Sequence, residues 1–407
     1  MNERERMLAT LRGEPTDALP WAPRMDLWAI AQKARGTLPA RFEGMNTAQI
    51  ADELGVGCHA VRADWTMVPQ LERDPRDFMW RAFGVENCWD FPFRLEMHEL
   101  KVDFKYEYGK YWTTIHTPAG DVETYMEYEV SMEKNGITAP EIKKYVLPDP
   151  TNWEAVALVY ENFEIVPTPK NYWAFHERIG TRGLALAQGP NSASPMHTML
   201  HMLMPMEAFF LAYMDVPDEL HKLAERMTPF YERMLDVMCG CDAEIVWWGA
   251  NYDQYTTWPH FFAHEIVPYV AHVGDRLRSV GKLMASHCDG ENDKLLPHLP
   301  DCRFDIAESV CTEPMTKRTL KDLRLGMGAK TTIWGGLPAV DFMDSATSDE
   351  SFRLHLDKVF GDLGSGKRLI LGVSDNVPPD CNIDRLDEVT RRVREFGPVV
   401  PAPEGSL

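Results

Sequence analysis

From residue 170 onward, short apolar runs alternate with helix-length segments, and this rhythm points to a parallel sheet covered by helices. The runs fall at residues 172–175, 183–187, 244–249, 282–286, 304–307, 331–334 and 368–372, and a further run at 19–27 makes eight. Helical stretches at 217–238, 258–280 and 349–363 lie between them. Eight such units predict an α/β chain folded as one eight-stranded β/α barrel of the TIM type. The alternative, an open doubly wound sheet, usually carries a glycine-rich phosphate loop after its first strand. None follows Leu27. A length of 407 residues suits a single barrel spanning 1–407 with insertions.

One stretch breaks the rhythm. Between about 55 and 165 the sequence alternates, as in Tyr106-Glu107-Tyr108 and Tyr111-Trp112-Thr113-Thr114-Ile115, with turn residues at Pro118-Ala119-Gly120. Alternation with turns predicts antiparallel hairpins, here an N-terminal β-rich insertion capping one end of the barrel. Its aromatic richness also makes it the surface on which two copies could pair as a homodimer.

Charge and composition exclude several partners. The net charge of −20 repels phosphate backbones, so nucleic acid is not an expected ligand. No apolar run reaches the roughly 20 residues of a membrane span, and the opening Met1-Asn2-Glu3-Arg4-Glu5-Arg6 lacks a signal-type apolar core. A cytoplasmic protein with reduced thiols is expected, and its eight cysteines form no dense framework. Cys239-Gly240-Cys241 lacks the spacing of a zinc knuckle, and Cys381 lies beyond its strand end.

In a barrel, chemistry sits where strands run into the following loops. The strand ends deliver Arg24 and Asp26; His176; Gln188; Asn251 and Asp253; His287, Cys288 and Asp289; Glu308 and Cys311; Gly335 and Gly336; and Asp375. That is more polar than stability alone requires, which favours an enzyme over a scaffold or ligand-binding barrel. Trp247 and Trp248 flank the fourth strand end and could stack on an aromatic substrate, whereas Met199, Met202 and Met206 read as core at helical spacing. His59, Arg62 and Asp64 form a second polar cluster, placed on the cap.

The reaction centre is expected at His287-Cys288-Asp289-Gly290. Residues two apart on a strand share a face, so His287 and Asp289 point inward together while Cys288 alternates away. An imidazole and a carboxylate on one face can share a proton or hold a divalent metal. The bland alternative is a His–Asp pair that only orients a loop. Cys311, one strand along, could add a thiolate, a set that suits zinc better than magnesium or calcium. Glu308 is the competing donor, and Cys311 read alone is more often core.

These residues resemble the uroporphyrinogen decarboxylase superfamily. The resemblance rests on Leu11-Arg12-Gly13-Glu14-Pro15-Thr16-Asp17, on Ser286-His287-Cys288-Asp289-Gly290 followed by Gly335-Gly336, and on Gly372-Val373-Ser374-Asp375-Asn376-Val377-Pro378-Pro379-Asp380. It spans most of the chain and is weakest from about 55 to 165. It implies a β/α barrel that is either a cofactor-free decarboxylase or a zinc methyltransferase serving a corrinoid protein. Pro23-Arg24-Met25-Asp26 keeps one arginine where the decarboxylases carry a pair.

The methyltransferase branch implies zinc at His287, Asp289 and Cys311, with Asp375 near the place of the last ligand. Among the strand-end residues, Arg24, Asp26, Asn251, Trp248 and His176 are the expected substrate contacts. A site poorer in sulfur than usual suits an oxygen-bound substrate, a small methoxylated aromatic, with Glu308 or Asp253 protonated beside the leaving oxygen. The methyl group would pass to a corrinoid on a partner protein. The alternative is a metal-free decarboxylase or lyase that acts on an aromatic or pyrrolic acid through protonation by Asp26, His287 or Asp289.

Overall fold

Strands buried on both faces read as unbroken apolar runs, and every residue of Ile306–Val310 and of Leu369–Val373 is buried. The computed structural model describes residues 1–61 and 70–400. Six parallel strands form one sheet in the order Leu369–Val373, Thr332–Leu337, Ile306–Val310, Leu283–His287, Ile245–Trp247, Ala187–Gln188. Successive strands in the chain are neighbours in space, with Trp247 beside Ala285, Ala285 beside Ile306 and Ile306 beside Thr332. Helices such as Pro217–Gly240, Val267–Ser279 and Asp349–Asp362 supply the crossovers.

A second parallel ladder pairs Cys58–Ala60 with Gly183–Ala185. The segment around Trp21 lies between this ladder and the far edge of the large sheet. Gly57 N donates to Trp21 O at 2.8 Å on one side, and Ala22 N donates to Leu371 O at 2.9 Å on the other. Trp21 contributes an isolated bridge to Leu371 rather than a strand, so the described ladders do not run as one closed sheet.

Two expected strands are corrected. Residues 19–27 do not form one: Pro20 and Pro23 lack the N–H that a ladder needs, and the helix Asp26–Arg35 already begins at Asp26. Residues 172–175 lie inside the helix Pro169–Ile179, which has proline in its first turn and buries Tyr172, Phe175 and Ile179. That spacing of three and four is helical. Cys58–Ala60, expected to belong to the cap, supplies a parallel strand instead. The runs at 183–187, 244–249, 282–286, 304–307, 331–334 and 368–372 all contain strand residues.

A four-stranded antiparallel sheet of Lys101–Glu107, Lys110–Thr117, Gly120–Glu127 and Glu141–Lys144 stands apart from the parallel strands. Its first hairpin turns at Tyr108 and Gly109, both at positive φ, as a tight hairpin requires. The inner face presents Tyr111, Ile115, Val122 and Met126, all buried, and packs against the helix Trp153–Asn162. Among the described residues no helix is long and apolar enough to cross a membrane.

Gly335 marks a close approach within the six-stranded sheet. It has φ +142, and an added Cβ would stand 2.7 Å from Val310 N and 2.8 Å from Val310 O. Gly335→Ala is expected to destabilise the chain by about 2–3 kcal/mol, seen as a lower urea midpoint. Gly361 lies inside the helix Asp349–Asp362 with open space around it, so Gly361→Ala should be neutral or gain up to about 1 kcal/mol. Equal midpoints for the two variants would contradict this account.

Candidate active site

Parallel pairing sets His287, the last residue of its strand, directly beside Glu308. A register shift follows between Glu308 and Val310, with Ser309 at φ +65. Such a bulge re-aims the side chains around it. Glu308 is 1% exposed, and both of its oxygens are taken. Oε2 accepts from His287 Nδ1 at 2.5 Å, and Oε1 accepts from His59 Nε2 at 2.9 Å. The His59 ring packs on Trp334 at 4.5 Å between centroids, and Trp247 lies beside His287 at 6.3 Å.

The other edge of His287 faces carboxylates. Its Nε2 is 3.7 Å from Asp289 Oδ2 and 3.6 Å from Asp375 Oδ1. Asp289 Oδ1 is buried without a hydrogen-bond partner. Asp375 sits at φ +58, a left-handed conformation that asparagine and aspartate tolerate best. Arg24 donates from Nε and Nη2 to the two oxygens of Asp26 at 2.8 and 3.1 Å, and its Nη1 approaches Asp375 at 3.9 Å.

Negative groups therefore outnumber fixed positive ones. Asp26, Glu308, Asp289 and Asp375 gather around Arg24 and the imidazoles of His59 and His287. Burial opposes a charge on His287, yet the Glu308 and Asp289 carboxylates outweigh it and raise the imidazole well above its usual range. Burial likewise opposes ionisation of Glu308, and the two imidazoles overcome it and hold the group as a carboxylate. Burial raises Asp375.

A cavity of about 370 Å³ opens above this cluster. Its floor carries Arg24, Trp247, Asn251, His287 and Glu308, and residues 138–142 from the approach to the last antiparallel strand form its roof. Arg81 ties the roof down, with Nε donating to Pro140 O at 2.8 Å. Asn251 Nδ2 donates to His201 Nε2 at 3.2 Å. Burial, aided by the Arg81 charge, pushes His201 down to about 4, so its ring is neutral near pH 7.

The sequence profile of the family "Uroporphyrinogen decarboxylase (URO-D)" matches residues 122–396, which include every strand end from Gln188 to Asp375. The chain belongs to the uroporphyrinogen decarboxylase family. A solved methyltransferase from Methanosarcina mazei shares its fold, with a TM-score of 0.58 at 14% identity over 97% of this chain and 99% of that chain. No curated protein matches the sequence.

In this member of the uroporphyrinogen decarboxylase family, the residues expected at the site separate into two groups. Arg24, Asn251, His287 and Glu308 line one cavity, with Asp26, Asp289 and Asp375 in contact around them. Cys311 stands beside Asp289 and Asp375, and the rest have other surroundings. His176 stands on a helix, where Arg4 and Glu244 are its charged neighbours. Glu244 precedes the strand Ile245–Trp247, so this is the opposite end of the sheet. Trp248 is fully buried and donates to Ala193 O at 3.2 Å, and Trp247 faces the cavity in its place.

Asp253 serves its own loop, accepting from Tyr255 N and Glu291 N, each at 2.8 Å. With Glu308 held as a carboxylate, neither residue is placed as the expected proton donor. Cys311 donates to Ser309 O at 3.6 Å, and burial pushes its thiol up to about 12. Without a metal the thiol is neutral, and it stands within electrostatic reach of Asp289 and Asp375. Cys288 does point away from the cluster, toward Ser286 O. His59, assigned to the cap, belongs to the site, whereas Arg62 and Asp64 fall outside the described residues. The signal for His59 was the short apolar run Cys58-His59-Ala60-Val61 after Gly57, which reads as a strand with a polar residue facing inward.

Among the described residues no three donors already stand together as a metal site. The donor set nevertheless suits a divalent ion. His287 Nε2, Asp289 and Asp375 face one another, Asp289 Oδ1 is buried and orphaned, and Nδ1 is fixed by a carboxylate. Metal-binding histidines almost always have that second contact.

Two outcomes follow. Arg24 and Asp26 are 11% and 14% exposed as side chains. Arg24→Met strands a buried carboxylate and should cost about 3–5 kcal/mol, most of it recovered in Arg24→Met/Asp26→Leu. A double variant no more stable than the single one would refute the pairing. His201 has a folded pKa of about 4 against an ordinary value of 6.5. The stability that depends on its neutral form is complete above pH 6.5 and is lost as pH falls toward 4. His201→Gln should flatten part of that limb of the stability–pH curve, and an unchanged slope would remove His201 from the account.

Proposed function

We propose that this protein is a metal-dependent methyltransferase that takes a methyl group from a small methoxylated aromatic compound and delivers it to a corrinoid on a partner protein. The carrying observation is the two-sided environment of His287, with a carboxylate on Nδ1 and two carboxylates facing Nε2. His287, Asp289 and Asp375 are the residues that would hold zinc. A bound zinc ion would supply Lewis-acid polarisation of the ether oxygen.

The chain's own groups do the rest. Glu308 fixes the His287 tautomer, so the lone pair of Nε2 points into the cavity. Trp247 gives the substrate ring an apolar wall, and Asn251 offers polar contact on the same floor. The roof at residues 138–142 covers the cavity from the side opposite His287. A cavity of about 370 Å³ suits a single-ring molecule. The eight-unit barrel is part of this reading, in which residues 20–22, hydrogen-bonded to Leu371 on one side and Gly57 on the other, would stand in for the remaining strand.

A second reading has its own support. The Glu308 and Asp289 carboxylates favour the protonated, acid form of His287, whose ring lines the cavity. Such an acid could protonate the carbon from which an aromatic or pyrrolic acid loses carbon dioxide.

Metal analysis of the purified protein separates the two readings. About one zinc per chain is expected, lost in His287→Ala together with methyl transfer from a methoxylated aromatic. A zinc-free protein that releases carbon dioxide from such acids, and is unaffected by chelators, would replace the first reading with the second.

A further inference from the structure

His59 reaches the cluster from a different part of the fold. It stands on Cys58–Ala60, whose ladder partner is Gly183–Ala185, whereas Glu308 belongs to the middle of the six-stranded sheet. The contact between them joins residues 249 positions apart. The side chains of His59 and Glu308 are 5% and 2% exposed. Each oxygen of Glu308 has one imidazole partner, so Glu308 is the shared bridge between the two rings.

We infer that His59 is a positioning residue for the metal-facing edge of His287. Its Nε2–H donates to Glu308 Oε1 and fixes the rotation of the carboxylate. The other oxygen, Oε2, is then aimed at His287 Nδ1 and accepts the proton-bearing nitrogen there. The proton on Nδ1 leaves Nε2 of His287 with its lone pair toward Asp289 and Asp375. Without His59, the soft terminal torsion of the glutamate loses one of its two hydrogen-bond anchors, and His287 is freer to adopt its other tautomer. The consequence for metal rests on the reading proposed above, while the His59–Glu308–His287 geometry does not.

A packing role makes a different forecast. His59 also lies against Trp334, and His59→Phe keeps that ring contact while deleting the donor. His59→Gln restores an N–H at similar reach, and His59→Asn carries an amide too short to reach Oε1. The experiment combines zinc titration of metal-stripped full-length protein against a chromophoric chelator with ¹⁵N NMR of the histidine rings at a pH high enough for His287 to be neutral, which reports its tautomer without metal. Circular dichroism confirms that each variant is folded.

His59→Phe and His59→Asn should bind zinc about 10- to 100-fold more weakly than wild type and show a mixed His287 tautomer. His59→Gln should restore both properties. Wild-type affinity and a single tautomer in His59→Phe would overturn the inference, as would equal losses in His59→Phe and His59→Gln. Should His59→Phe fail to fold, the contrast between His59→Gln and His59→Asn decides the question in the same way. Should wild type bind no zinc, the metal reading fails, and the ring spectra alone decide whether His59 positions His287.

Discussion

A carboxylate buried at the centre of a parallel sheet is costly to keep ionised, by several kcal/mol after relaxation. Glu308 is such a group, and the site is organised around satisfying it. One oxygen needs the neighbouring strand, which brings His287 into register. The other needs His59, delivered by a separate two-stranded ladder. The bulge after Glu308 and the positive φ of Ser309 belong to the same arrangement. Parallel strands must therefore meet with little tolerance here, and Gly335 at Val310 shows how little space remains.

Around this fixed core the charges are deliberately unequal. Arg24 is consumed by Asp26, and Glu308 is consumed by two imidazoles. Asp289 and Asp375 are left facing a single nitrogen of His287. Such a surplus attracts either protons or a cation. Membership of the uroporphyrinogen decarboxylase family is consistent with both, because the fold delivers polar groups at strand ends whatever chemistry they serve. What separates the two outcomes is whether His287 carries a proton on Nε2 or offers a lone pair there.

Much of this was legible in the sequence, and the failures have specific causes. The strands around 245, 285, 306, 333 and 370 are short, almost wholly buried runs whose alternation with helix-length segments gives a clear signal. Residues 172–175 are equally apolar but too short to separate strand from helix by pattern, and Pro169 in the first helical turn decided the outcome. The strand Cys58–Ala60 is three residues long and sits among segments of different texture, so it was grouped with the antiparallel sheet. That grouping took His59 away from the site. Trp247 and Trp248 differ by one position, and a shift of one residue on a strand exchanges the two faces. Ion-pair partners across the fold, such as His59 with Glu308, leave no mark in one sequence because nothing local encodes them.

The cavity has walls of two origins. Its floor is the parallel sheet, whereas its roof, residues 138–142, is carried by the antiparallel sheet and pinned by Arg81 through Pro140. Substitutions in the roof can reshape the space above His287 without touching a residue that holds the buried charges. The shape of the space above His287 is thus set by one sheet and its charge by the other.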